Sequence, residues 1–154
     1  MKRGAEVTIL DITPRNKERM VKIAIHPKSL KRFKDRVRRI LRERSHLPIE
    51  DTMRYFNAYV HGWLGYYALS EVMSTIHKLA KWSRRKLRAR LWSQWKTPQN
   101  RYRQLISIST GNMRYAVGKC LIYARAHGSW HMSNYGSIQA IVTNKYLESL
   151  GFPN

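Results

Sequence analysis

A chain of 154 residues is about one domain long, enough to bury a core and too short to hold a complete polymerase. Apolar residues at 43% and charged residues at 25% make a globular composition, yet thirty Lys and Arg against nine Asp and Glu leave a net charge of +21. That self-repulsion has no folding rationale and a polyanion relieves it, so nucleic acid is the expected partner. No apolar run approaches the ~18 residues of a spanning helix, and Met1-Lys2-Arg3 leads into no signal-peptide core. The expectation is a cytoplasmic protein with no membrane partner. Cys120 is the single cysteine, which excludes an internal disulfide and a thiolate zinc cluster. It reads as a small helix residue beside Leu121 and Ile122.

Residues 7–12 and 20–25 are short β-favouring runs separated by Pro14-Arg15-Asn16-Lys17, which predicts a hairpin. A lone hairpin is marginal in water, so it is expected to be the edge of something larger or a flap on the following helices. From Ser29, read as an N-cap, Leu30, Phe33, Val37, Ile40 and Leu41 share one helical stripe, with Lys31, Arg32, Arg36, Arg38, Arg39 and Arg42 on the other side. Pro48, Glu50 and Asp51 suit the first turn of a second helix whose apolar positions run from Ile49 to Tyr67. Gly62 and Gly65 cross it, as sites of close helix approach or a kink.

A third helix is predicted from Ser70-Glu71 to about Trp95, ended by Thr97-Pro98. Helical periodicity puts Val72, Ile76, Leu79, Ala80, Trp82 and Leu87 on its inner half. It puts Lys78, Lys81, Arg84, Arg85, Arg88, Trp92 and Trp95 on its outer half. Helices at about 98–107 and 112–125, a loop at 126–129 and a last helix at about 135–150, stopped by Gly151, complete the reading.

Positions 72–147 hold fourteen Lys or Arg and no Asp or Glu, so that half has no carboxylate for general acid/base chemistry or for Mg²⁺. Of the six histidines, only His127 and His131 have a metal-ligating interval, and they straddle Gly128. No catalytic constellation, no metal site and no cofactor are expected. The positive signal is the basic, tryptophan-bearing segment 81–96, continued by Arg101-Tyr102-Arg103. Guanidiniums neutralise phosphates and aromatic rings stack on unpaired bases. The expected RNA-binding set is Lys78, Lys81, Arg84, Arg85 and Arg88 on phosphates, with Trp92, Trp95 and Tyr102 as stacking surfaces and Lys96, Arg101 and Arg103 beside them. Trp82 is expected in the core. The next most basic face is that of helix one, with Arg32, Arg36, Arg39 and Arg42.

Several motifs occur in a telling order. Lys28 to Lys34 opens a helix, Asn57 to Tyr67 reads NAYVHGWLGYY, Trp82-x-Arg84-Arg85-Lys86-Leu87-Arg88 precedes Trp92-x-Gln94-Trp95-Lys96, and Gly128-Ser129-Trp130-His131-Met132-Ser133 precedes the last helix. Over about 28–152 this resembles the maturase-specific, or X, domain of group II intron reverse transcriptases. The resemblance implies a mainly α fold, a helical thumb-like bundle with a short N-terminal β hairpin. It divides the chain into 1–27, resembling the palm-to-thumb junction, and 28–154, the maturase-specific domain. It further implies binding of structured RNA, group II intron RNA in particular, to assist splicing. No Tyr-x-Asp-Asp polymerase motif and no cysteine-paired endonuclease domain occur in the chain. The expectation is therefore a thumb without its motor: a stand-alone or split product, a remnant, or an excised piece. Two rival readings stay open. In one the chain docks on a separately encoded palm and fingers chain and completes a reverse transcriptase that grips a primer–template duplex. In the other it is a general basic DNA-binding module.

Overall fold

The computed structural model describes residues 7–12, 20–67, 73–111 and 113–153. It is mainly α, with one two-stranded antiparallel hairpin ahead of the helices. Strand β1 (Val7–Ile12) pairs with β2 (Met20–Ile25), Val7 opposite Ile25 and Ile12 opposite Met20. The predicted turn at Pro14–Lys17 lies outside the described residues. Ile25 is buried with Tyr67 and Ile76 in a small cluster that Leu30, Trp63 and Leu64 border, so the end of the hairpin is fastened to the helices.

Helix α1 (Pro27–Glu43) starts two residues before the expected cap. Pro27 suits the first helical position and the His26 imidazole Nδ1 accepts from the Lys28 N–H at 3.1 Å, which leaves Ser29 inside the first turn and buried. Its stripe of Phe33, Val37, Ile40 and Leu41 is buried as the period requires. Helix α2 (Ile49–Tyr66) buries Ile49, Met53, Phe56 and Val60, with Glu50 and Asp51 complementing the dipole of its first turn. Pro48 is its cap rather than its first helical residue. Gly62 and Gly65 are not points of close approach: both face solvent, and a methyl group added at either meets nothing within 4 Å.

Helix α3 (Met73–Gln94) is the central element, flanked by α1 and by α6. Its predicted start at Ser70-Glu71 and Val72 lie outside the described residues. Thr97 then caps α4 (Pro98–Ile108) by accepting from the Asn100 N–H at 3.2 Å, and α5 (Arg114–Ala124) packs on α4. Cys120 is fully buried there, and burial pushes its thiol up to about 12, which keeps it protonated and inert at neutral pH.

The last third departs from expectation. Ser129 opens a four-residue helix, α6 (Ser129–Met132), instead of closing a loop, and the single helix expected over 135–150 is two: α7 (Gly136–Ile141) and α8 (Asn144–Ser149). The break has a cause 54 residues away. Arg88 Nε donates to the Val142 carbonyl at 2.7 Å and its Nη2 to Asn144 Oδ1 at 2.8 Å, which draws the turn out of the ladder. Thr143 then caps α8 by accepting from the Tyr146 N–H at 3.1 Å. Gly151, at φ +96°, ends the chain's helical part as expected and turns Phe152 inward to within 5.9 Å of the Phe56 ring.

Candidate nucleic-acid interface

The residues expected on the outer half of α3, Lys78, Lys81, Arg84, Arg85, Arg88, Trp92 and Trp95, do not share one exposed face, and the rest of the expected set lies beyond that helix. Lys78, Lys81, Lys96, Tyr102 and Arg103 are exposed, and Arg84, Arg85 and Arg101 are half-buried. Arg88, Trp92 and Trp95 are buried, at 7%, 2% and 5% exposure, so the two tryptophans are core rings and offer no stacking surface. Leu87, Arg88, Arg90, Leu91 and Trp92 are all buried, so the second half of α3 is largely enclosed, and Lys86, Ala89 and Ser93 form an open strip that does not include Arg88, Trp92 or Trp95. Trp82, expected in the core, is half-buried at its margin.

The arginines inside this enclosure have structural work that periodicity cannot reveal. Arg90 Nη2 donates to the carbonyls of Arg44, Ser45 and Leu47 at 3.3, 2.7 and 3.1 Å, gathering the last turn of α1 and the segment after it. A cation there also meets the negative end of the α1 dipole. Burial draws Arg88 and Arg90 below the usual guanidinium range, with the Arg84 charge a second influence on Arg88, yet a guanidinium stays protonated. With no carboxylate between residues 72 and 147, main-chain carbonyls and an amide take the place of salt-bridge partners. Arg84 and Arg101 lie over rings, 4.9 Å from Phe152 and 4.6 Å from Trp92.

A concentration of available cations lies elsewhere, in a groove of about 300 Å³ where α1, α3 and α6 meet. On α1, Lys34, Arg38 and Arg42 repeat at four-residue spacing and so share one flank. Opposite them stand Trp82 and Lys86 of α3, and Trp130 of α6, 39% exposed, closes one end. The charges and rings interleave. Lys34, Arg38 and Lys86 approach the Trp82 ring at 5.9, 5.4 and 5.6 Å, while Lys86 and Arg85 approach Trp130 at 4.0 and 3.8 Å. Asp35, paired with Arg38 at 2.7 Å on the exposed surface, puts one carboxylate beside this cluster. Partial burial first, and then the Arg38 and Arg85 charges, lower the pKa of Lys86. A bound anion would oppose that shift. Trp130 and Lys86 belong to the Gly128–Ser133 and Trp82–Arg88 motifs, where nothing local marks them as a pair. Their meeting with Lys34 and Arg38 joins three separate elements, although the spacing of Lys34, Arg38 and Arg42 was itself readable.

Among the described residues no three His, Cys, Asp or Glu side chains gather as metal ligands, and no helix is long and apolar enough to cross a membrane. What the fold defines is a mainly α, strongly basic domain with an aromatic-lined cationic groove. The model of the group II intron maturase-specific domain matches residues 30–107, just over half of the chain, and the chain belongs to that family. The matched part contains Lys34, Arg38, Arg42, Trp82 and Lys86; Trp130 lies beyond it. The match is to the maturase-specific domain and not to a polymerase catalytic domain. No curated protein matches the chain.

Proposed function

We propose that the chain binds group II intron RNA and assists its splicing, by binding rather than by bond-making. The α1–α3–α6 groove carries this reading: Arg38, Lys86 and Trp130 present two cations and an exposed ring within one span. Phosphates would sit against Arg38, Arg42 and Lys86, and a ribose against the exposed edge of Trp130, whose face the Arg85 guanidinium covers. Lys78, Lys81, Tyr102 and Arg103, exposed elsewhere on the surface, would extend the contact, while Arg88, Trp92 and Trp95 act only through the fold. The RNA and its bound metal would do the chemistry, and the protein would stabilise the active RNA fold by neutralising phosphates.

The test is binding to folded group II intron RNA and to duplex DNA of equal length at ~150 mM salt, with splicing of the intron precursor followed alongside. Tighter binding of the RNA and faster splicing are expected, since A-form shape, 2′-hydroxyls and splayed bases are contacts that B-DNA lacks. Equal affinities would favour the general DNA-binding reading. A second reading, a thumb subunit docking on a separate palm and fingers chain, has the hairpin in its favour, because among the described residues neither strand pairs with a third. Primer extension by the chain alone is not expected in either case.

A further inference from the structure

A second recess, of about 220 Å³, is lined by Arg85, Tyr123, His131, Asn134, Tyr135 and Gly136. We propose that this recess receives a single unpaired nucleobase of bound RNA, an inference that rests on the RNA-binding reading for its biological partner but not for its test. One wall is aromatic: the Tyr123 and Tyr135 rings are stacked on each other at 4.2 Å and 10°, which fixes both rings and leaves their edges and the outer face of Tyr135 for a partner. The wall is held from behind, since His127 packs against both Tyr123 and His131 at 4.3 Å, and the Tyr123 hydroxyl meets His131 Nε2 at 3.1 Å. The mouth carries Asn134, an exposed amide whose side chain enters no hydrogen bond among the described residues and can present both a donor and an acceptor to a base edge.

Three features select a base over other occupants. The volume falls below the ~300–1,000 Å³ of sites for drug-sized ligands and suits one planar ring. The lining holds no carboxylate and one guanidinium, so it accepts a neutral ring tied to an anion and disfavours a cation. His127 and His131 lie nearly parallel at 21°, face to face, instead of converging their nitrogens on a metal. Arg85 ties recess to groove. Its Nη2 donates to the Trp130 carbonyl at 3.2 Å and its Nε to Ser133 Oγ at 3.4 Å, while its guanidinium covers the Trp130 ring. A strand whose phosphates lie along Lys86 would need to turn out only one base to enter.

The experiment uses the full chain and three probes: adenosine 5′-monophosphate, inorganic phosphate, and intron RNA. Titration with adenosine monophosphate, followed by NMR, should move the ring resonances of Tyr123, His131 and Tyr135, and inorganic phosphate at the same concentration should leave them in place. Asn134→Leu, which removes the donor and acceptor offered to the base edge from an exposed position, should weaken that response about tenfold. Phosphate reproducing the shifts, nucleotide failing to produce them, or an unchanged response in Asn134→Leu each overturns the proposal. Nucleotide in the recess without affinity for intron RNA would keep the recess and remove the proposed function. Affinity for intron RNA with unmoved rings would do the opposite.

Discussion

Helices α1 and α3 are both rich in arginine and use it in opposite ways. On α1, Arg32, Arg36, Arg39 and Arg42 stand in solvent around a single buried stripe, as an amphipathic surface helix requires. On α3, Arg88 and Arg90 are buried and spend their donors on carbonyls and an amide belonging to other elements. The same side chain is a phosphate-binding candidate on one helix and a fold-holding staple on the other. What separates them is not charge but enclosure: α3 has neighbours on both sides and α1 keeps one side open. In a chain this poor in carboxylates, a buried arginine turns to main-chain oxygens, and a basic run marks a binding face only where a neighbour leaves it uncovered.

Substitutions sharpen this contrast, beginning with the largest effect. Trp92→Ala should cost about 3–5 kcal/mol, as expected for a buried aromatic, and a denaturant melt reading under 1 kcal/mol would return that ring to the surface. Arg90→Met keeps the buried stem and removes the donor to three carbonyls. It should cost about 3 kcal/mol, or roughly 10 °C in Tm for a chain of this length, with no rescue by added salt. Gly151→Ala places a methyl group 2.5 Å from Asn57 Nδ2 at a φ of +96°; a loss of about 1–2 kcal/mol, read by thermal melting, is expected. Smallest of all, the triple change of Arg32, Arg36 and Arg39 to Ala, on the flank of α1 away from the groove, should leave stability within about 0.5 kcal/mol. Its loss of RNA affinity should be smaller than that of a groove variant.

How much of this was legible in the sequence follows the same division. The strands of the hairpin, the stripe of α1, the stop of α3 at Thr97-Pro98 and the stop at Gly151 were readable, because each depends on residues close together in the chain, whereas the capping of α4 by Thr97 came from the structure. The family resemblance was readable too, from motifs in order. The face of α3 was not. Trp92 and Trp95 fall on the basic side of a helical wheel, and the neighbours that cover that side, Arg101 of α4 over Trp92 and the segment around Val142 on Arg88, come from elsewhere in the chain. The break between α7 and α8 depends on Arg88, far away in the chain, so a local reading of 135–150 saw one helix. The groove was half visible: the spacing of Arg38 and Arg42 lies within α1, whereas their meeting with Lys86 and Trp130 joins residues far apart in the numbering.

The central claim is that the cations which grip RNA are those of the groove, Lys86 of α3 among them, and not the arginines buried along α3. The most direct measurement is the dependence of log affinity on log salt for intron RNA, taken for the parent and for Arg38→Ala/Arg42→Ala/Lys86→Ala, with thermal melts of both. The account predicts a weaker complex, a slope shallower by about two to three units, and a folded variant with stability within about 0.5 kcal/mol of the parent. A variant that melts like the parent and keeps both its affinity and its salt slope would contradict it, and would put the RNA on another face of the molecule.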